Sequence, residues 1–84
     1  MQALIEETFQ EAFNKEENNS GFFARVIYPK YEIVFTTVWV DNICEHTFYI
    51  KSNGKDLPTR KFNKGNYKNL YTRYVNKYLG SKKK

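Results

Sequence analysis

Hydrophobic and polar residues alternate along this chain in two periods, and the switch between the periods outlines the fold. On a helical wheel Leu4, Ile5, Thr8, Phe9, Ala12 and Phe13 fill one half, and Glu6, Glu7, Gln10, Glu11 and Asn14 the other. The acids lie toward the positive end of the helix dipole, which favours them by a few tenths to about 1 kcal/mol each. Asn18, Asn19, Ser20 and the permissive Gly21 are expected to end this helix. Residues 22–51 then change to the β-branched and aromatic set that suits a pleated sheet. Tyr28-Pro29-Lys30-Tyr31 and Asp41-Asn42 divide them into three strands.

A two-residue turn at Asp41-Asn42 fixes a register that can be checked pair by pair. It sets Glu32 opposite Lys51, Ile33 opposite Ile50, Phe35 opposite Phe48 and Trp39 opposite Cys44, all apolar or opposite-charge neighbours. A slip of one residue destroys every match. The same register sorts the sheet into two faces. One carries Ile33, Phe35, Thr37, Trp39, Cys44, His46, Phe48 and Ile50, joined by Phe22, Ala24 and Val26. The other is mixed, and more apolar than a solvated face needs to be. If both helices cover the first face, Phe23, Arg25, Val34, Val38, Tyr49 and Lys51 are exposed as a strip for a partner, for bases or for a second copy of the chain, which could also pair through the sheet edge; if the helices take opposite faces, the strip is core.

Residues 52–64 form a polar stretch containing Asn53-Gly54 and Pro58, hence a loop, with a short extended piece over 59–62. Tyr67, Leu70, Tyr71, Tyr74, Val75, Tyr78 and Leu79 share a second apolar half-wheel, with Lys68, Asn69, Thr72, Arg73, Asn76 and Lys77 opposite. Gly80 is its expected C-cap and residues 81–84 a disordered basic tail. The pattern predicts an α+β fold: an N-terminal helix, a three-stranded antiparallel meander and a C-terminal helix (α-β-β-β-α), in one small domain over residues 1–80.

With 84 residues the core must be dense in large side chains, and seven Phe, seven Tyr and one Trp supply them. The single cysteine, Cys44, excludes an intrachain disulfide framework and fits a reducing compartment. No apolar run approaches the roughly 20 residues of a membrane span. A cytoplasmic protein with no membrane partner is expected.

Charge changes the picture most. Residues 51–84 hold eleven bases against one acid, Asp56, whereas residues 1–50 hold three bases against eight acids. Six bases and no acid lie between Arg60 and Lys77. A surface that neutralises successive phosphates needs several cations on one side of a rigid element. Arg60, Lys61 and Lys64 lead into the second helix, whose first backbone N–H groups add an anion site, and Lys68, Arg73 and Lys77 continue along it. Lys51 and Lys55 stand in support, with the acidic first helix facing away and orienting the approach.

The other chemical candidates are weaker. The spacing of Tyr67, Tyr71, Tyr74 and Tyr78 fits core packing better than stacking on bases. Cys44 and His46 face the same side of one strand, but zinc takes at least three protein ligands and the chain has no further Cys or His. No metal, cofactor or catalytic residue is expected, and the protein is not expected to be an enzyme.

The order of helix, three antiparallel strands and helix, with Arg60, Lys61 and Lys64 entering the last helix, resembles the topology of the double-stranded-RNA-binding domain. The resemblance implies that these three residues grip phosphates across a groove. The family's alanine-rich last helix is replaced by a tyrosine-rich one. A three-stranded sheet with a helix is also used by the DNA-binding arms of recombinases, which read a groove with the sheet itself. The expected function is a non-enzymatic module that contacts nucleic acid phosphates through the basic loop and C-terminal helix. The alternative is a small protein-binding accessory or inhibitor protein, of viral or mobile-element type, that uses the outer sheet face or the basic helix against an acidic protein surface.

Overall fold

Asn19, rather than the glycine after it, turns the chain out of the first helix. The computed structural model describes residues 3–78, so Leu79, the Gly80 cap and the 81–84 tail lie outside the described residues. Helix α1 (Ala3–Glu17) is followed by Asn19 in the left-handed region, with φ of 56°. The Ser20 and Asn19 N–H groups bond back to the Lys15 and Glu16 carbonyls, a Schellman pattern that satisfies the last turn.

Strands β1 (Phe22–Ile27), β2 (Tyr31–Val40) and β3 (Ile43–Ser52) form the antiparallel meander. Glu32 faces Lys51, Ile33 faces Ile50, Phe35 faces Phe48 and Trp39 faces Cys44, the register read from the turn. Asp41 and Asn42 both take positive φ, as a tight right-twisted hairpin requires. Asn53 and Gly54 do the same one turn later and start an element the pattern does not predict. After that turn β4 (Lys55–Asp56) and β5 (Arg60–Phe62) both pair with the free edge of β3. Between the two paired pieces, Tyr49 and Ile50 of β3 face Leu57, Pro58 and Thr59, one residue too many. The surplus residue is a bulge at the proline, which has no N–H to give the ladder.

Helix α2 (Tyr67–Tyr78) closes this gap with a side chain. Ile50 N–H donates to Tyr74 Oη at 3.3 Å, and Tyr74 Oη donates to the Pro58 carbonyl at 2.8 Å. Tyr74→Phe leaves the buried Ile50 N–H unpaired and is expected to cost about 1–3 kcal/mol in a denaturant titration. A loss indistinguishable from zero would mean that water replaces the phenol there.

Both helices lie on one face of the sheet. Ile5, Phe9, Ala12 and Phe13 of α1 join Val26, Ile33, Phe35, Phe48, Ile50 and Phe62 of the sheet and Tyr67 and Tyr74 of α2 in a single core. The acidic helix therefore does not face away from the basic one; it packs beside it. Tyr67 Oη donates to Glu6 Oε2 at 2.5 Å, and Gln10 Nε2 donates to Glu6 Oε2 at 2.8 Å and to Tyr67 Oη at 2.9 Å. The Tyr67 hydroxyl, then Gln10, hold the Glu6 carboxyl below its ordinary pKa, and the same Glu6 contact raises the Tyr67 phenol. A lowered carboxyl contributes stability above its unfolded pKa and loses it as pH falls through the folded value. A raised phenol contributes below its unfolded pKa and loses it as pH rises through the folded value. An NMR titration of Tyr67→Phe is expected to find the Glu6 pKa moved up toward the ordinary carboxylate value.

Candidate functional site

Strand alternation divides the expected basic cluster. Arg60 and Phe62 point to the helix side of β5, whereas Lys61 between them points to the outer face and lies 3.8 Å from Glu45. Lys64 lies 3.3 Å from Glu17 at the end of α1, and Lys51 lies 3.9 Å from Asp56. Lys68 sits over the Tyr67 ring on the flank near Glu6. Lys55 is exposed on β4 at the Asn53-Gly54 turn. The three bases expected to act together, Arg60, Lys61 and Lys64, thus point into three environments.

The N–H groups that open α2 are also engaged. Asn63 Oδ1 accepts from Gly65 N at 2.8 Å and Asn66 N at 2.9 Å, while Asn66 Oδ1 accepts from Asn63 N at 2.9 Å. This reciprocal cap is an asparagine version of the capping box. It replaces the anion site expected at the helix entrance, because the donors are already used.

Arg60, Arg73 and Lys77 remain together. With Leu70, Tyr74 and Tyr78 they line a groove between β5 and α2. Among the described residues none of the three has an acid within ion-pair distance. Arg73 and Lys77 share one side of α2 at a spacing of one turn, and Arg60 meets them from the sheet edge. The Lys77 ammonium lies 5.3 Å from the Tyr78 ring centroid, so the groove has aromatic walls and a cationic rim.

The outer sheet face is uncovered, but it is not one apolar strip. Phe23 and Ile27 are exposed on β1, and Val38, Val40 and Ile43 near the β2–β3 turn. Between them Arg25 is paired with Glu32 at 2.6 Å, which holds the Glu32 carboxyl below its ordinary range. Val34, expected to be exposed there, is only 4% exposed. Its cross-strand neighbours are the longer Arg25 and Tyr49, which cover a small side chain on a central strand. Tyr49 is itself half-buried.

A second cluster forms where α1 ends against β3: Glu16, which the pattern does not place there, joins Cys44 and His46, the pair set aside for want of a third ligand. His46 is 4% exposed, its ring stacked on Phe62 and met edge-on by Phe13. Thr37 Oγ1 lies 2.8 Å from His46 Nδ1, and Glu16 Oε1 lies 2.7 Å from His46 Nε2. Cys44 Sγ lies 3.7 Å from the same Nε2. Burial, then the Glu16 charge, raises the Cys44 thiol above its ordinary pKa. In a nucleophile–base–acid relay the thiol and the acid contact opposite ring nitrogens; here both face one.

No family model, curated protein or solved structure matches the chain at a significant level. The likeness to the double-stranded-RNA-binding domain therefore stands on element order and charge alone. No helix among the described residues is long and apolar enough to cross a membrane.

Proposed function

We propose that this chain is a non-enzymatic module that binds nucleic acid through the groove of Arg60, Arg73 and Lys77. One observation carries the reading: these three cations converge with no acid within ion-pair distance among the described residues, on a chain of net charge +5. Cations already balanced by carboxylates release little on meeting phosphate, whereas unbalanced ones exchange condensed counterions for protein contacts. Arginine suits the role, since its planar fork matches two phosphate oxygens. Lys61, Lys64 and Lys51 act as a secondary reserve, because exposed ion pairs are worth about 0–1 kcal/mol and yield to a phosphate. The half-buried Tyr78 ring at the groove edge adds a surface on which an unpaired base can rest, whereas Tyr74 belongs to the core. The test is a binding titration against single- and double-stranded DNA and RNA at two salt concentrations. Affinity is expected to fall with salt, and no binding to any of the four at low salt overturns the reading.

The exposed Phe23, Ile27, Val38, Val40 and Ile43 favour a second reading, a protein-binding module that works through the outer sheet face. A specific protein retained after nuclease treatment and moderate salt, and released by Val38→Glu, would support it over the first.

A further inference from the structure

We infer that Glu16, Cys44 and His46 form a binding site for one zinc-class transition-metal ion. The three come from two elements, Glu16 from the last turn of α1 and the other two from alternate positions of β3. Their donor atoms, a carboxylate oxygen, a thiol sulfur and His46 Nε2, all lie within 4.8 Å of one another.

Hydrogen bonding alone leaves this arrangement half-used. Nε2 carries either one proton or one lone pair, so it serves Glu16 as a donor or Cys44 as an acceptor, and not both. A cation between the three atoms satisfies all of them at once. Zn–N bonds of about 2.0–2.1 Å and Zn–S bonds of about 2.3 Å at a tetrahedral angle put nitrogen and sulfur about 3.6 Å apart. The observed separation is 3.7 Å. The Glu16 oxygen, at 2.7 Å from Nε2, must draw back by roughly 0.7 Å to reach the tetrahedral spacing. Its side chain is 44% exposed at a helix end, so a rotamer adjustment achieves this without moving the backbone.

The surroundings resemble those of a prepared ligand. Thr37 lies across the strand pair from His46 and engages Nδ1, the outer contact that fixes a metal-binding imidazole and leaves Nε2 toward the ion. Phe13 and Phe62 hold the ring in place. A set of one nitrogen, one sulfur and one oxygen suits zinc and its spectroscopic substitute cobalt better than magnesium or calcium, which prefer oxygen alone. Three protein ligands leave a fourth position for water or a ligand from solution. As the metal–sulfur bond forms, the thiol proton passes to solvent.

Zinc(II) and cobalt(II) titrations of the full chain test this. One zinc per chain is expected, with a rise in thermal midpoint, and cobalt should give a thiolate-to-cobalt charge-transfer band in the near ultraviolet. Cys44→Ser should abolish that band and weaken zinc binding at least about tenfold. Glu16→Gln, at an exposed position that does not threaten folding, should weaken zinc binding while keeping the band. Glu17→Gln, one residue along, should change neither. Absence of stoichiometric binding, or binding equal in all three variants, overturns the site; the latter marks an adventitious surface ion only.

Discussion

Replacing Arg60, Arg73 and Lys77 together with glutamine is expected to weaken nucleic acid binding on the order of several hundredfold at 0.1 M salt. The size follows from counterion release. If each base neutralises one phosphate of a duplex, affinity varies with salt to a power of about −0.9 per contact, so losing three contacts flattens the log–log slope by about 2.7. Glutamine keeps part of each aliphatic stem against Leu70, Tyr74 and Tyr78, which limits any loss of packing. The loss should be similar for all sequences, because phosphate contacts carry no base information. The matched comparison is the double replacement of Lys61 and Lys64, which already face Glu45 and Glu17. Should that variant flatten the salt slope as much as the triple, the groove is not the binding surface.

Phe9→Ala is expected to cost about 3–5 kcal/mol of folding stability, the range for deleting a fully buried phenyl ring. At roughly 0.05–0.15 kcal/mol per residue, a chain of 84 residues has on the order of 4–13 kcal/mol in all. The single substitution thus removes a large fraction of the total. Phe9 is 0% exposed, and its ring meets Phe35, Phe48, Phe62, Tyr67 and Tyr71. Neighbours drawn from three strands and a helix cannot all collapse into the space it leaves. Leu4→Ala on the same helix removes a side chain 54% exposed and should stay within about 0.5 kcal/mol of wild type. Urea midpoints of the two variants check the contrast, and equal shifts would mean that α1 does not close the core.

The meander was legible because side-chain alternation and a two-residue turn act locally. Once Asp41 and Asn42 are the turn, the partners of Ile33, Phe35 and Trp39 follow without knowledge of the rest of the molecule. The extended piece expected over 59–62 is β5, but its pairing, and β4 altogether, had no signal. Each is too short for a periodic pattern, and Pro58 between them is a signal against a strand; only the ladder offered by the edge of β3 makes them extended. The unread pairing also hid the division of the basic cluster, since adjacent Arg60 and Lys61 look like one patch until the ladder to β3 turns them apart. Val34 was misplaced for a similar reason. Alternation assigns a face, whereas burial depends on the size of neighbours such as Arg25 and Tyr49. The Glu16 approach to His46 had no signal at all, because it depends on how α1 lies across the sheet. A wheel shows which side of a helix is wet and says nothing of what stands beside it.

The aromatic cluster around Phe9 has a consequence in time. The three hairpins of the sheet join near neighbours in sequence and can form early, as local contacts close quickly. The rings that complete the cluster, Phe62, Tyr67 and Tyr71, belong to the last elements of the described chain, and the Glu6–Tyr67 bond joins positions 61 residues apart. When residues 3–56 have been made and residues 60–78 have not, the sheet and α1 share an apolar surface that is still open. Until α2 emerges, that nascent chain has the exposed rings and unpaired β3 edge that invite association, and the last helix acts as the step that ends this vulnerable interval.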